Sequence, residues 1–162
     1  MELNFEIKET KDCSSVEIND FFELAKKAEQ VDLVGLLDRI KKSQLLAFCR
    51  SKSQLVGISA IKVPNNNYKK RIFRKAGIEN DVNDYKFEPG YSYTEEKFRG
   101  KQISFDLNKE LVKELSDNSI FATTANPAMK RILNKIGFTE IGNAYKGKHN
   151  TDEIQIFGFR KE

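Results

Sequence analysis

The run Phe98-Arg99-Gly100-Lys101-Gln102-Ile103-Ser104 combines two cations, a glycine and the beginning of an apolar helical stripe. The first N–H groups of a helix have no intrahelical partner, and the aligned peptide dipoles add partial positive charge there. A basic glycine turn feeding a helix start is therefore a seat for an anion, and a phosphate suits it best. Other chemistry-bearing types are sparse. Cys49 and His149 could be read as a covalent thiol relay. Cys49, however, falls in an apolar run, where a small buried thiol is the ordinary occupant, and His149 falls in a polar Gly-Lys-His-Asn loop. A single histidine and two distant cysteines, Cys13 and Cys49, make no credible metal ligand set.

The elements around the basic turn can be read from residue spacing. Ile103, Leu107, Leu111 and Leu115 recur at steps of four and predict an amphipathic helix. Tyr91-Ser92-Tyr93-Thr94, preceded by Pro89-Gly90, predicts the strand before it. Upstream, alternation at Leu3, Phe5 and Ile7 predicts a half-buried strand, and Ser14-Ser15 are available to cap a helix carrying Val16, Ile18, Phe21 and Phe22. A second short helix would bury Leu33, Leu36, Leu37 and Ile40. Leu45–Cys49 and Leu55–Ile61, joined by a polar turn, read as an antiparallel hairpin. Between Tyr68 and Ala76 the spacing predicts a helix with Lys69, Lys70, Arg71, Arg74 and Lys75 on a solvated side, ended by Gly77. Ile120–Thr124 reads as a short buried strand. Asn126-Pro127 then open a helix with Met129, Ile132, Leu133 and Ile136 on its apolar side, and two final strands enclose His149.

At 162 residues, 39% hydrophobic and 32% charged, the chain has the profile of one soluble globular domain. Its net charge of +4 is dispersed, which favours solubility and makes no case for nucleic acid. No apolar run reaches transmembrane length, Met1-Glu2 opens no signal peptide, and two cysteines suit a reduced compartment, so the expected setting is cytoplasmic, with no membrane partner. Strand edges near the C-terminus could pair two chains as a homodimer.

In element order nearly the whole chain resembles the GNAT superfamily of acyl-CoA-dependent N-acetyltransferases. Arg99-Gly100-Lys101-Gln102-Ile103-Ser104 is similar to that family's pyrophosphate loop. Ala122 to Phe138 is similar to its second cofactor motif, in which an Asn opens a helix ending in Gly-Phe. The resemblance implies an α/β (α+β) fold with a mixed, mostly antiparallel central sheet flanked by helices on both faces, over residues 1–162 as a single domain. It also implies acetyl transfer from acetyl-CoA, as co-substrate, to a primary amine of a small molecule or peptide. Arg99, Gly100, Lys101, Gln102, Ile103 and Ser104 would hold the phosphates. Asn126 and Met129 would meet the pantetheine arm, and the backbone at Tyr93 and Thr94 the acetyl carbonyl. The chain departs from the pattern at Gln102 and Ser104, where glycine or alanine is usual. A side chain at Gln102 either crowds the phosphates or bends away and leaves the N–H groups usable. Leu133 stands where many members carry the tyrosine that protonates the departing thiol.

Glu88, six residues before Thr94, matches the catalytic glutamate of the family's histone-modifying members and is the expected base. Strand alternation would place it on one face with Gly90, Ser92 and Thr94. Tyr145 is the candidate acid. The alternative function is a non-catalytic acyl-CoA-binding regulatory module on the same fold.

Overall fold

The chain folds as seven strands and five helices among the residues described by this computed structural model, 2–28, 32–115, 119–147 and 152–160. His149 lies outside those residues, as does Ser116-Asp117-Asn118, whose sequence reads as a turn. The fold is mixed α+β, with antiparallel sheets packed against helices. Two compact units share it: residues 1–63 with 89–115, and 64–88 with 116–162.

The first unit is built on the predicted hairpin. β2 (Leu45–Ser51) and β3 (Gln54–Lys62) pair antiparallel around a two-residue turn in which Lys52 takes a left-handed φ of 56°. β1 (Leu3–Glu9) pairs antiparallel with β2, and β4 (Glu88–Thr94) completes the order β1-β2-β3-β4. Because strand side chains alternate, Leu46, Phe48, Ile58 and Ala60 face one way and Ala47, Cys49, Gly57 and Ser59 the other. Helix α1 (Ser15–Ala25) covers the first face with α2 (Leu36–Lys41), burying Phe21, Leu24, Ala25, Leu36 and Ile40 in one cluster. Each fully buried side chain of this size stabilises by roughly 1.5–3 kcal/mol. A capping box starts α1: Glu17 N donates to Ser14 Oγ (3.1 Å) and Ser14 N to Glu17 Oε1 (2.8 Å). Helix α4 (Ile103–Glu114) packs on β2 and β3, burying the predicted stripe Ile103, Leu107, Leu111 and Leu115.

Two expectations fail in this unit. β1 forms, but it is an edge strand and Phe5 stays 41% exposed, so alternation there does not mark burial. Leu33 precedes α2 and is 59% exposed rather than on its apolar side.

In the second unit, β5 (Ile120–Thr124), β6 (Thr139–Lys146) and β7 (Glu153–Phe159) form an antiparallel sheet in the order β5-β7-β6. One parallel bridge joins Phe87 to Ile120. Helix α3 (Asn66–Lys75) is capped by Asn65, whose Oδ1 accepts from Asn67 N (2.8 Å) and Tyr68 N (3.3 Å). Its Ile72 and Phe73 pack with Ala76, Val82, Tyr85, Phe121 and Ile156, with Phe73 edge-on to Phe121 at 5.2 Å. Helix α5 (Pro127–Ile136) has Pro127 in its first turn and Gly137 at its end, with φ 122°. The basic side of α3 is not uniformly solvated. Lys69 is buried, its Nζ donates to the Tyr85 carbonyl at 2.7 Å, and burial lowers its pKa. Among the described residues no helix is long and apolar enough to cross a membrane.

Candidate active site

The basic turn is positioned by glycine. Gly57 on β3 lacks a side chain where Ile103 enters: a Cβ there would lie 2.6 Å from Ile103 Cγ2. That close approach seats the start of α4 on the sheet. Below it Asn108 Nδ2 donates to the Ser104 carbonyl (2.8 Å) and Ser92 Oγ (3.2 Å), while its Oδ1 accepts from Ser59 Oγ (3.1 Å). The same network draws in the Ser104 hydroxyl. Ile103 and Ser104 therefore turn their side chains into the protein, and what they offer a ligand is backbone N–H.

The loop ahead of them bends through two left-handed residues, Gly100 (φ 81°) and Gln102 (φ 63°). Gln102 is the N-cap of α4, makes no side-chain cap hydrogen bond, and is exposed. The left-handed backbone there costs roughly 1–2 kcal/mol that glycine would avoid. Open space surrounds the point where a Gly100 side chain would begin. Uncapped first-turn amides, a concave backbone and the cations Arg99 and Lys101 fit a diphosphate, with Asp106 in the same turn as the one opposing charge. Arg99 is anchored: its Nε donates to the Thr94 carbonyl at 3.0 Å and its guanidinium lies 5.6 Å from the Tyr93 ring centroid. β4 is an edge of its sheet, so alternate N–H groups near Tyr93 and Thr94 point away from β3.

The second group of residues centres on Glu88, which is 2% exposed. Its Oε2 accepts from Tyr68 Oη at 3.0 Å and from Thr123 Oγ1 at 3.2 Å. Tyr68 comes from α3 and Thr123 from β5, and the backbone beside Glu88 is tied to β5 through Phe121 N donating to the Phe87 carbonyl (3.0 Å). Burial first, and then the charge of Glu88, pushes the Tyr68 hydroxyl far above an ordinary phenol and that of Tyr145 up to about 12; Arg71 pulls Tyr145 slightly back. Tyr145 reaches this group because β6 bulges between Ile141 and Tyr145. Gly142 makes the bulge possible: at φ 69°, with a Cβ that would lie 2.7 Å from the Ala76 carbonyl, no other residue fits. Asn143 N donates to that same carbonyl at 2.9 Å, locking the bulge against the end of α3.

Tyr91 at φ 57° interrupts the extended backbone between Glu88 and Thr94, so strict alternation does not hold along β4. Asn126 caps α5, its Oδ1 accepting from Ala128 N (2.8 Å) and Met129 N (3.4 Å), so only its amide NH2 could donate to a pantetheine arm. Leu133 is buried and packs in the core. Cys49 is fully buried and desolvation pushes its thiol up to about 11, which disqualifies it as a nucleophile at neutral pH. Tyr68 and Thr123 were not singled out by sequence; an aromatic at helical spacing and a threonine in a strand carry no signal of a carboxylate between them.

No family model matches this sequence, and no curated protein does. Solved structures match along the whole chain. An acyl-CoA N-acyltransferase from Pseudomonas aeruginosa aligns at TM-score 0.71 and 10% identity, over 98% of this chain and 100% of that one. A GNAT-family acetyltransferase from Streptococcus agalactiae aligns at TM-score 0.67 and 14% identity, over 98% and 96%. The yncA protein of Salmonella typhimurium, solved with its cofactor acetyl-CoA, aligns at TM-score 0.65 and 10% identity, over 100% and 95%. The chain has the GNAT acetyltransferase fold.

Proposed function

We propose that residues 1–162 form one acetyltransferase domain that moves an acetyl group from acetyl-CoA directly to a primary amine of a small molecule or peptide. The observation that carries this reading is the uncapped start of α4 behind left-handed Gly100 and Gln102, within a GNAT fold. Arg99 to Ser104 hold the diphosphate, largely through main-chain amides, and the Asn126 NH2 and Met129 meet the pantetheine arm.

An alkylamine with a pKa near ~10.4 must lose a proton before it attacks, which costs about 4.6 kcal/mol at neutral pH. Glu88 takes that proton, directly or through water, while Tyr68 and Thr123 hold its carboxylate in place. The nitrogen then bonds the acetyl carbonyl carbon, whose oxygen gains charge next to the backbone amides of Tyr93 and Thr94. The C–S bond breaks and sulfur keeps the electron pair. A thiol pKa near ~8.5 makes it a tolerable leaving group; the nitrogen, cationic after its attack, gives its second proton to the thiolate as the amide forms, and the first proton leaves Glu88 to water. Tyr145, protonated throughout the neutral range, serves as a hydrogen-bond donor rather than as the full acid.

A second reading, an acyl-CoA-binding module without turnover, is favoured by the burial of Leu133 where relatives of this fold carry the acid. Titration of acetyl-CoA by calorimetry together with a thiol-release assay over an amine panel separates the two. Binding with release supports the transferase, binding without release for any amine supports the module, and no binding at millimolar carrier overturns both. On the first reading the protein works in the cytoplasm, and the outer edge of β6 is where two copies would pair as a homodimer.

A further inference from the structure

The five cations of α3 divide into three kinds. Lys69 is buried on the Tyr85 carbonyl. Arg74 forks onto Glu79 at 2.9 and 3.2 Å, and the charge of Lys70 also acts on that glutamate. Arg71 and Lys75 behave differently. They are one helical turn apart and exposed, and of the five cations Arg74 is the one that makes an ion pair among the described residues. The Arg71 guanidinium lies 5.8 Å from the ring centroid of Tyr68, and Lys75 Nζ lies 6.0 Å from that of Tyr145. Tyr68 is the residue whose hydroxyl binds Glu88. A carboxylate and two cations are thus gathered around the same pair of tyrosines.

We propose that the acceptor is an amine that also carries a carboxylate, an amino-acid-like molecule, with Arg71 and Lys75 holding the carboxylate while Glu88 serves the amino group. This rests on the reading of Glu88 as proton acceptor. A guanidinium whose face covers an aromatic ring keeps its in-plane N–H donors, the geometry that forks onto a carboxylate. The same two positive charges repel a diamine, which has a second cation where the amino acid has an anion. The rings beneath them lower the freedom of both long side chains, so less entropy is lost when the ligand arrives.

Matched acceptors test the proposal: L-lysine against 1,5-diaminopentane, and L-phenylalanine against phenethylamine, with thiol release measured for each. The amino acid should exceed its decarboxylated partner by about 10- to 100-fold in kcat/KM. Arg71→Gln should erase most of that preference by raising KM for the amino acid, leaving the plain amine within about twofold. Arg74→Gln, outside the group, should change neither. Equal kcat/KM across both pairs, or an equal loss for both partners in Arg71→Gln, overturns the proposal. If no amine is acetylated at all, the transferase reading fails. Calorimetry with N-acetyl-phenylalanine and its neutral amide then decides the carboxylate preference by itself: tighter binding of the acid, weakened by Arg71→Gln, upholds it, and identical affinities overturn it.

Discussion

In the unit that carries α4, buried Ser59 and Asn108 and half-buried Ser92 and Ser104 form a neutral group, and each finds a partner within it. In the unit that carries α3, the corresponding group is Tyr68, Thr123 and a carboxylate, Glu88. The first costs little to bury, because every donor meets an acceptor and nothing ionises. The second takes a carboxylate out of bulk water, where an ionisable group needs strong partners, and the hydroxyls of Tyr68 and Thr123 are among them. A neutral amide at residue 88 could accept the same two hydrogen bonds. Two superficially similar networks therefore differ in kind: one fixes a helix to a sheet, and the other holds the carboxylate proposed above as the proton acceptor.

Substitutions can break or sharpen that contrast. The largest effect is expected at Glu88. Glu88→Gln should lower turnover by at least about tenfold, and up to about 10⁴-fold, with acetyl-CoA affinity essentially unchanged. An unchanged rate would remove Glu88 from the chemistry. Next, Asn108→Ala should cost about 1–3 kcal/mol in denaturant unfolding by stranding the serines around it, with turnover per folded molecule retained. Loss of activity without loss of stability would reverse the roles of the two networks. Tyr68→Phe removes one donor from the carboxylate and should lower kcat by roughly tenfold, with KM for acetyl-CoA unmoved. The smallest change is expected at Gln102. Gln102→Gly relieves the left-handed backbone and should tighten acetyl-CoA binding about two- to fivefold by calorimetry. Weaker binding instead would mean that the glutamine side chain itself contributes to the ligand.

Local features explain how much was legible beforehand. The loop at Arg99–Ser104 and the helix after it could be read because a glycine turn, a cation pair and a step-of-four stripe are all contiguous in sequence. The cap at Asn126 and the stops at Gly77 and Gly137 follow for the same reason. Misreadings arose where burial depended on a neighbour. Phe5 alternates as a core residue would, yet its strand lies at a sheet edge. Lys69 belongs by spacing to a wet face but is buried on the Tyr85 carbonyl. Asn108 is polar on a helix that buries apolar residues, so no pattern flags it as the centre of a network.

From the sequence alone came the order of the elements and the basic glycine turn at the start of α4, because each depends on residues near one another in the chain, while Glu88 became a candidate through the family resemblance. The surroundings of Glu88 did not follow from it. The hydroxyls of Tyr68 and Thr123 that donate to it come from α3 and β5, 20 residues before it and 35 after it, and Tyr145 reaches the group through a bulge at Gly142 that faces Ala76. Hydrogen bonds act over about 3 Å whatever the separation along the chain, and only the folded backbone fixes which distant side chains come within that reach.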